Sequence, residues 1–456
     1  MFREGNPHMT LLLNIVYLLL LACLSPWLLL AAWRQGKYRE GYAAKLLGLV
    51  PHRAGPRPCI WLHAVSVGEV NLLQTLLGRL EASYPDWDCV ISTTTKTGYE
   101  LACRKYAPRM VFYCPLDFSW AVRTALRRIR PDLLVLAELE LWPNLMRAAK
   151  EHGAKLAIIN GRLSERSFRG YRRIRYLLRS TLRCLDLVAA QNDEYAARFR
   201  ALGVADAVLC VTGSVKFDGA QTNRDNPATQ KLAHLAGVDP RDVVFLAGST
   251  QDPEESLAIE TYRTWKDTYP ELRLILVPRH PARCDELART LDNSRLSWQR
   301  RSRLEADGPL PGARILLVDT VGELGAWWGT AHLAFVGGSL GSRGGQNMIE
   351  PAAYGAAVSF GPNTRNFRDI VALMLRHDAA RVVHDGQELS AFVGRCLEDR
   401  SWANALGQRA RELVANQRGA TDRTVTLVAN LLRASGRAAP ARSELTHSRA
   451  GQRGAA

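Results

Sequence analysis

At 456 residues, 47% of them apolar and 23% charged, the chain is long enough for two to three domains and has the composition of a globular protein with a sizeable core. The 60 Lys and Arg against 44 Asp and Glu leave a net charge of +16. That excess favours an anionic partner (nucleic acid, an acidic membrane surface or a phosphorylated substrate) without choosing among them. Nine cysteines, an odd number with no C-x-x-C spacing, exclude a zinc site and a disulfide framework and read as reduced thiols in a cytosolic body.

The first element is an apolar run without a charge from Met9 to Trp33. A bilayer-crossing helix needs about 20 such residues, and Asn14, Ser25 and Pro26 are tolerable interruptions. Arg34, Lys37 and Arg39 follow at once, while Arg3 and Glu4 cancel at the other end, so the remainder is expected in the cytoplasm. A cleaved signal peptide fits less well, because the charge follows the run and no A-x-A site is present. A buried core helix is the third reading. Residues 1–40 are thus expected to form a single-pass membrane anchor.

From Cys59 onward short apolar strands alternate with helical stretches. Strands are predicted at Cys59–His63, Cys89–Thr93, Arg109–Tyr113, Leu133–Ala137, Lys155–Asn160, Leu185–Ala190 and Ala207–Val211. Helices are predicted between them, among others at Val70–Glu81, Ser119–Arg128 and Pro143–His152. The pattern restarts with strands at Val243–Ala247, Arg273–Val277, Arg314–Val318, Leu333–Val336, Ala357–Phe360 and Arg381–Val383. Such alternation is the signature of a doubly wound parallel sheet, and it occurs twice. The polar, breaker-rich stretch 219–227 sets a boundary, giving an α/β chain with Rossmann-like domains at 41–220 and 221–434. Ligands of such a pair are expected in a cleft at the carboxyl ends of the strands. The Ala-, Arg-, Ser- and Gly-rich tail 435–456 is expected to be disordered.

Candidate chemistry collects just past those strands. Trp61 to Glu69 (WLHAVSVGE) ends a strand at His63, turns at Ser66 and Gly68, and starts a helix near Glu69. The carboxylate there suits a general base toward an acceptor hydroxyl, or an acidic residue in a first helical turn, favourable with the helix dipole. Glu138 and Glu140 follow a second strand, alternate onto one side, and lead to Pro143 at a helix start. In the second half Pro278, Arg279 and His280 end a strand, and Arg279 can meet a phosphate with two donors. Val321, Gly322 and Glu323 can offer backbone N–H groups to a phosphate or a base edge. Gly337, Gly338 and Ser339 end a third strand, Gly344 and Gly345 let backbone approach a ligand, and Asn347, Met348, Ile349 and Glu350 open a helix.

The strings HAVSVGE (63–69), STTTKTG (92–98), ELELWPN (138–144), NGRLS (160–164), AQN (190–192), TGSVKFD (212–218), AGST (247–250), VPRHP (277–281), VGGSL (336–340) and GGQNMIEP (344–351) stand in one order along the chain. In this the chain resembles the 3-deoxy-D-manno-octulosonic acid (Kdo) transferase family from the anchor to about residue 430. The resemblance implies a GT-B type, inner-membrane-bound enzyme facing the cytoplasm. Such an enzyme moves Kdo from CMP-Kdo to the lipid A precursor lipid IVA with inversion, releasing CMP. It implies Glu69 as proton acceptor; Ser66, Gly68, Glu138, Arg162 and Lys216 as acceptor or Kdo contacts; and Ser249, Thr250, Pro278, Arg279, His280, Val321, Gly322, Glu323, Gly338, Ser339, Gly345, Asn347, Met348, Ile349 and Glu350 around CMP, with Glu350 on ribose hydroxyls. No metal or other cofactor is expected, since Arg279 and helix N-termini can meet the charge of a leaving monophosphate.

The chain departs from the family pattern at Leu139, where Thr is usual, and at Gln251 and Gln346, where His is frequent. A titrating role at 346 is thereby excluded. Arg166, Arg169, Arg172, Arg173, Arg175, Arg179 and Arg183, interleaved with Phe168, Tyr171, Ile174, Tyr176, Leu177 and Leu178, suit an anionic bilayer or the phosphates of a glycolipid acceptor; a solvated helix face is the plain alternative. Nucleic acid is not expected, because no recognised binding motif accompanies the charge. Competing functions are a GT-B glycosyltransferase using a UDP- or GDP-sugar and a non-catalytic, membrane-tethered nucleotide-sugar binding protein.

Overall fold

The computed structural model describes residues 7–35 and 40–433. The tail 435–456 and the flanking charges Arg3, Glu4, Lys37 and Arg39 lie outside the described residues. The chain divides into two compact units, one of Met1–Asp218 with Arg418–Ala456 and the other of Gly219–Gln417.

The first unit carries β1 (Cys59–His63), β2 (Asp88–Thr93), β3 (Val111–Tyr113), β4 (Leu133–Ala137), β5 (Lys155–Gly161), β6 (Leu187–Ala190) and β7 (Leu209–Val211). They form one sheet in the order β3-β2-β1-β4-β5-β6-β7, and every pair is parallel. β1 and β4 are buried along their whole length, as strands covered on both faces must be. Helices Ser119–Ile129, Pro143–Glu151, Arg175–Leu182 and Asp193–Leu202 bury Leu126, Leu145, Leu182 and Phe199 against one face. Helices Val67–Ser83, Lys96–Tyr106 and Ala420–Arg433 cover the other with Leu73, Ala102 and Val428. Chain order reverses between β1 and β4, so the loops that leave these neighbours diverge and open a crevice at their carboxyl ends.

The second unit repeats the plan with β8 (Val243–Thr250), β9 (Leu272–Pro278), β10 (Trp298–Arg300), β11 (Ile315–Leu317), β12 (Leu333–Val336), β13 (Ala357–Phe360) and β14 (Arg381–Val382). Their order is β10-β11-β9-β8-β12-β13-β14, again parallel throughout. The reversal here falls between β8 and β12. This is the two-sheet GT-B type architecture expected from the sequence. Of the fourteen strands only β10 is missed by hydrophobic pattern, because Trp-Gln-Arg at a half-exposed sheet edge carries no apolar run.

One boundary is corrected. The second domain expected at 221–434 ends earlier, because Val425, Val428, Ala429 and Leu432 of the last helix are buried with Leu73, Leu76 and Leu80 of the first unit. The Asp218 carboxylate accepts from Gly419 N at 2.6 Å and from Thr421 N, which fixes the start of that helix.

At the other end, helix Pro7–Gln35 contains a stretch, Met9–Trp27, long and apolar enough to cross a membrane. Its apolar side chains are largely exposed, so it is not a buried core helix.

Removing the cap tests the return of the chain to the first unit. Asp218→Ala should cost about 1–2 kcal/mol, lower Tm by a few degrees in thermal unfolding, and speed proteolytic cleavage near Arg418.

Candidate active site

The β1 loop begins the site. Ser66 caps helix Val67–Ser83, its hydroxyl accepting from Glu69 N. The Glu69 carboxylate reaches back, one oxygen accepting from Ser66 Oγ at 2.9 Å and the other from Val65 N at 2.8 Å. This is a capping box, with Ser at the cap and Glu three residues on. The helix-start reading holds for this side chain, and each carboxylate oxygen has a second lone pair left for a proton. The β2 loop braces the turn: Thr93 Oγ1 and Thr95 Oγ1 both donate to Val65 O at 3.2 Å. At Gly98 an added Cβ would lie 2.6 Å from Thr93 Oγ1, so only glycine lets that loop close on the turn. His63, fully buried against Ser92 Oγ at 2.9 Å, is driven by burial down to about 4 and stays neutral.

The β4 loop brings two more carboxylates. β4 stops at Ala137, and Glu138 turns into the left-handed region with φ 57°. Extended alternation therefore does not govern Glu138 and Glu140, contrary to the sequence expectation. Such backbone strain is tolerated where the surroundings over-determine it; here Glu138 N donates to Ile159 O at 2.9 Å and its carboxylate pairs with Lys216 Nζ at 3.0 Å. Lys216 sits on a short 3-10 turn, Val215–Phe217, held by Asn160 Oδ1 accepting from Val215 N at 3.2 Å. Arg162, half-buried, follows the end of β5. Pro143 opens the next helix as expected.

Glu69, Glu138 and Glu140 lie close enough to repel one another. Burial, and then the Glu138 charge, push the Glu69 carboxyl above its ordinary value, against the pull of the Val65 and Ser66 hydrogen bonds. Glu140 is pushed up to about 7, by burial first and then by Glu69, with Glu138 adding to it. A carboxylate with raised proton affinity near neutral pH is suited to general-base work. Among the described residues no group of three or more His, Cys, Asp or Glu is arranged to hold a metal ion.

In the second unit Ser249 and Thr250 end β8, with Ser249 in the left-handed region at φ 56°. Arg279 N donates to Thr250 O at 2.9 Å, which sets Arg279 and His280 beside that end with both side chains exposed. Gly337 is required by a close approach: a Cβ there would lie 2.5 Å from Thr250 Cα. The Gly338 and Ser339 backbone is not open to a ligand as expected. Gly338 N, Ser339 N and Leu340 N donate to the buried Glu254 carboxylate at 2.7, 2.8 and 2.9 Å, and Gln251 N donates to it at 2.9 Å. Ser339 Oγ is likewise spent internally, donating to Val336 O and accepting from Gly361 N.

The Glu323 carboxylate accepts from Arg301 Nε and Nη2 at 2.9 and 2.7 Å and from Thr320 Oγ1 at 2.7 Å. Burial tends to raise it, but these donors hold it below the ordinary range. What this loop offers outward is Val321, 82% exposed, and Gly322. Gly345 N donates to Gly338 O at 2.7 Å, joining the two glycine loops. Asn347 Nδ2 donates to Glu350 Oε1 at 2.9 Å while Asn347 Oδ1 accepts from Ile349 N. Burial raises the Glu350 carboxyl, and Asn347 moderates it. Met348 and Ile349 are buried beneath this loop.

Asn160 and Glu254 are residues near the site that the sequence did not single out, while Glu140 was noted beside Glu138 but given no role. Only Glu140 had a signal, its two-residue spacing from Glu138. The Asn160 side chain's partner Val215 lies 55 residues away, and apart from Gln251 the partners of Glu254 lie 84 residues or more away, beyond any local pattern.

Comparison with known proteins bears on this arrangement. Residues 40–219 match the family profile described as 3-deoxy-D-manno-octulosonic-acid transferase (kdotransferase). The chain is 35% identical over 428 residues to the 3-deoxy-D-manno-octulosonic acid transferase of Bordetella pertussis, covering 90% of this chain and 97% of that one. It is 31% identical over 396 residues to the protein of the same name from Haemophilus influenzae, covering 86% and 91%. Among solved structures, UDP-GlcNAc 2-epimerase from Neisseria meningitidis overlays with a TM-score of 0.53 at 10% identity, over 79% of this chain and 99% of that one, a likeness of fold.

The carboxylate cluster makes a stability prediction. Because the folded-state value of Glu140 lies near 7 and its ordinary value is 4.5, ionisation costs the fold progressively between these pH values and fully above the upper one. Glu140→Gln should therefore raise Tm relative to the parent at pH 8, with the gain vanishing toward pH 4.5. Thermal unfolding across that range measures it; a gain that grows on acidification would contradict the cause given.

Proposed function

The chain belongs to the 3-deoxy-D-manno-octulosonic acid transferase family, and on that premise we propose that it is an inverting glycosyltransferase moving Kdo from CMP-Kdo to the lipid A precursor lipid IVA, with release of CMP. The observation that carries the mechanism is the Glu69 carboxylate. It is held at a helix start by Val65 N and Ser66 Oγ and made more basic by burial and by Glu138.

In the proposed step the acceptor hydroxyl oxygen attacks the anomeric carbon of Kdo while Glu69 takes its proton. The bond from that carbon to the phosphate oxygen breaks on the opposite side, and its electron pair leaves with CMP. A single displacement of this kind inverts the centre and needs one base. Glu138, fixed by Lys216, is placed to accept from sugar hydroxyls, with Ser66, Gly68 and Arg162 as its companions on the acceptor side.

On the donor side Arg279 meets the charge that develops on the leaving phosphate, as a preorganised guanidinium can. Ser249, Thr250, Pro278, His280 and the backbone of Val321, Gly322 and Gly345 shape the CMP pocket. Glu350, braced by Asn347 above Met348 and Ile349, receives the ribose hydroxyls. In this reading Gly338, Ser339 and Glu323 support the pocket through their internal bonds to Glu254 and Arg301 and do not touch the nucleotide. The enzyme is anchored at the inner membrane through its N-terminal helix with both units in the cytoplasm. The exposed arginines between Arg166 and Arg183 meet anionic headgroups or acceptor phosphates.

Incubating membranes that carry the protein with CMP-Kdo and a tetraacylated lipid A precursor should give a product heavier by Kdo in mass spectrometry. Transfer from UDP- or GDP-sugars in its place would point to the competing glycosyltransferase reading.

Glu69→Gln can still accept from Val65 N with its amide oxygen and meet Ser66 Oγ with its amide N–H in the reverse direction, so it should fold and still bind CMP. It should lose about 10²–10⁴-fold in turnover; undiminished turnover would remove Glu69 as the base. Arg279→Ala should raise the KM for CMP-Kdo and lower kcat together, because the guanidinium acts on ground state and leaving group alike. Steady-state kinetics with an unaltered donor profile would take Arg279 out of the site.

A further inference from the structure

Helix Pro7–Gln35 carries a polar stripe at helical spacing, and every member of it is engaged by the first unit. Arg147 Nη1 donates to Thr10 Oγ1 at 2.6 Å. Asn14 Nδ2 donates to Ser119 Oγ at 2.8 Å, and Asn14 Oδ1 accepts from Ser119 N at 3.0 Å and from Asn144 Nδ2 at 3.4 Å. Tyr17 donates to Asp117 Oδ2 at 3.1 Å, and its ring meets Phe118 edge-on with centroids 6.1 Å apart. Asn14 is only 8% exposed, whereas Leu19 on the opposite side is 61% exposed, in company with Leu12, Ile15 and Val16. The helix is therefore two-faced in context: one side is bonded to protein, and the other is apolar and uncovered.

This docking does not fit a span perpendicular to the bilayer. With Arg34 at the cytoplasmic surface, Tyr17 would lie about 25 Å and Thr10 about 36 Å deeper, at about 1.5 Å per residue. The hydrocarbon layer is about 30 Å thick. Asp117, Ser119 and Asn144 would have to enter it with Tyr17 and Asn14, and Arg147 to pass through it with Thr10, and charged groups in that layer are strongly disfavoured.

We propose that this helix lies in the plane of the cytoplasmic membrane face, locked to the first unit by Thr10, Asn14 and Tyr17, with its opposite side sunk among the lipid chains. The inference rests on the membrane attachment read above and specifies its manner. An apolar helix face with Trp27 and Trp33 exposed on it suits that interface. The occupant is anionic lipid. The helix Arg175–Leu182 packs on Pro143–Glu151, the same helix that receives Thr10 and Asn14. It brings exposed Tyr176 and Leu177 and the arginine series with it.

The lock also reaches the site. Asp117 accepts from Asn144 N at 3.0 Å and Leu145 N at 2.8 Å, so the carboxylate that holds Tyr17 also caps the helix into which Glu138–Trp142 runs. The anchor thereby fixes the acceptor-side carboxylates at a set height above the lipid.

The test is topological. A protease-cleavable epitope is fused ahead of Met1 in the full chain, and cleavage is compared in intact spheroplasts and in inverted inner-membrane vesicles. The expected result is cleavage in inverted vesicles and protection in spheroplasts; cleavage in spheroplasts means that the helix crosses and overturns the proposal. Flotation with vesicles of phosphatidylglycerol and phosphatidylethanolamine measures attachment separately, so failure to float would sink the membrane reading itself. The double variant Asn14→Leu with Tyr17→Phe keeps the helix apolar but removes the lock. It should still float and should lose protection in spheroplasts. Protection equal to that of the parent would show that the polar stripe does not set the orientation.

Discussion

A carboxylate taken partly out of water at the head of a helix has to be held, and the way Glu69 is held organises the first unit. Its oxygens accept from Val65 N and Ser66 Oγ, which fix the turn leaving β1. The β2 loop closes on Val65 O through Thr93 and Thr95, and the β4 loop contributes the charge of Glu138. Hydrogen bonds lower the proton affinity of Glu69 while burial and like charge raise it, and the net effect is upward. A carboxylate built this way has a raised proton affinity yet is still held in one orientation.

Lys216 keeps the cluster from being purely repulsive. It neutralises Glu138 alone, and Asn160 sets its position from within β5. Glu140, with no such cation, is left with a raised value near neutrality. Like groups in one crevice thus meet different neighbours, which is how environments separate acid and base roles.

The second unit uses a carboxylate in the opposite manner. Four backbone N–H groups converge on buried Glu254, so the loop after β12 is organised by a charge internal to the protein. Backbone N–H groups in glycine-rich turns are commonly taken as sites for an external anion. Here the anion is built in, and exposed positive charge stands around it, Arg343 and Arg365 beside the glycine loop and Arg279 on the loop after β9, one strand beyond β8.

The sequence determined every strand but β10, both doubly wound units and the family, because these rest on short-range regularities. Buried strands write continuous apolar runs, helix starts write Ser-x-x-Glu and Pro, and ligand loops follow strand ends. The positions of Glu69 and Glu350 at helix starts and of Arg279 after a strand were legible for that reason. Only the tertiary structure decided which groups are satisfied by which. The Glu254 carboxylate meets a loop 84 residues away, Asp218 meets Gly419 across 201 residues, and Tyr17 meets Asp117 across 100. No local pattern encodes a hydrogen bond over such separations. The last helix reads in sequence as part of the second domain, but its apolar face is buried in the first unit. The first helix reads as an apolar run in which Asn14 is a tolerable interruption and Thr10 and Tyr17 carry no signal; folded, these three are the contacts.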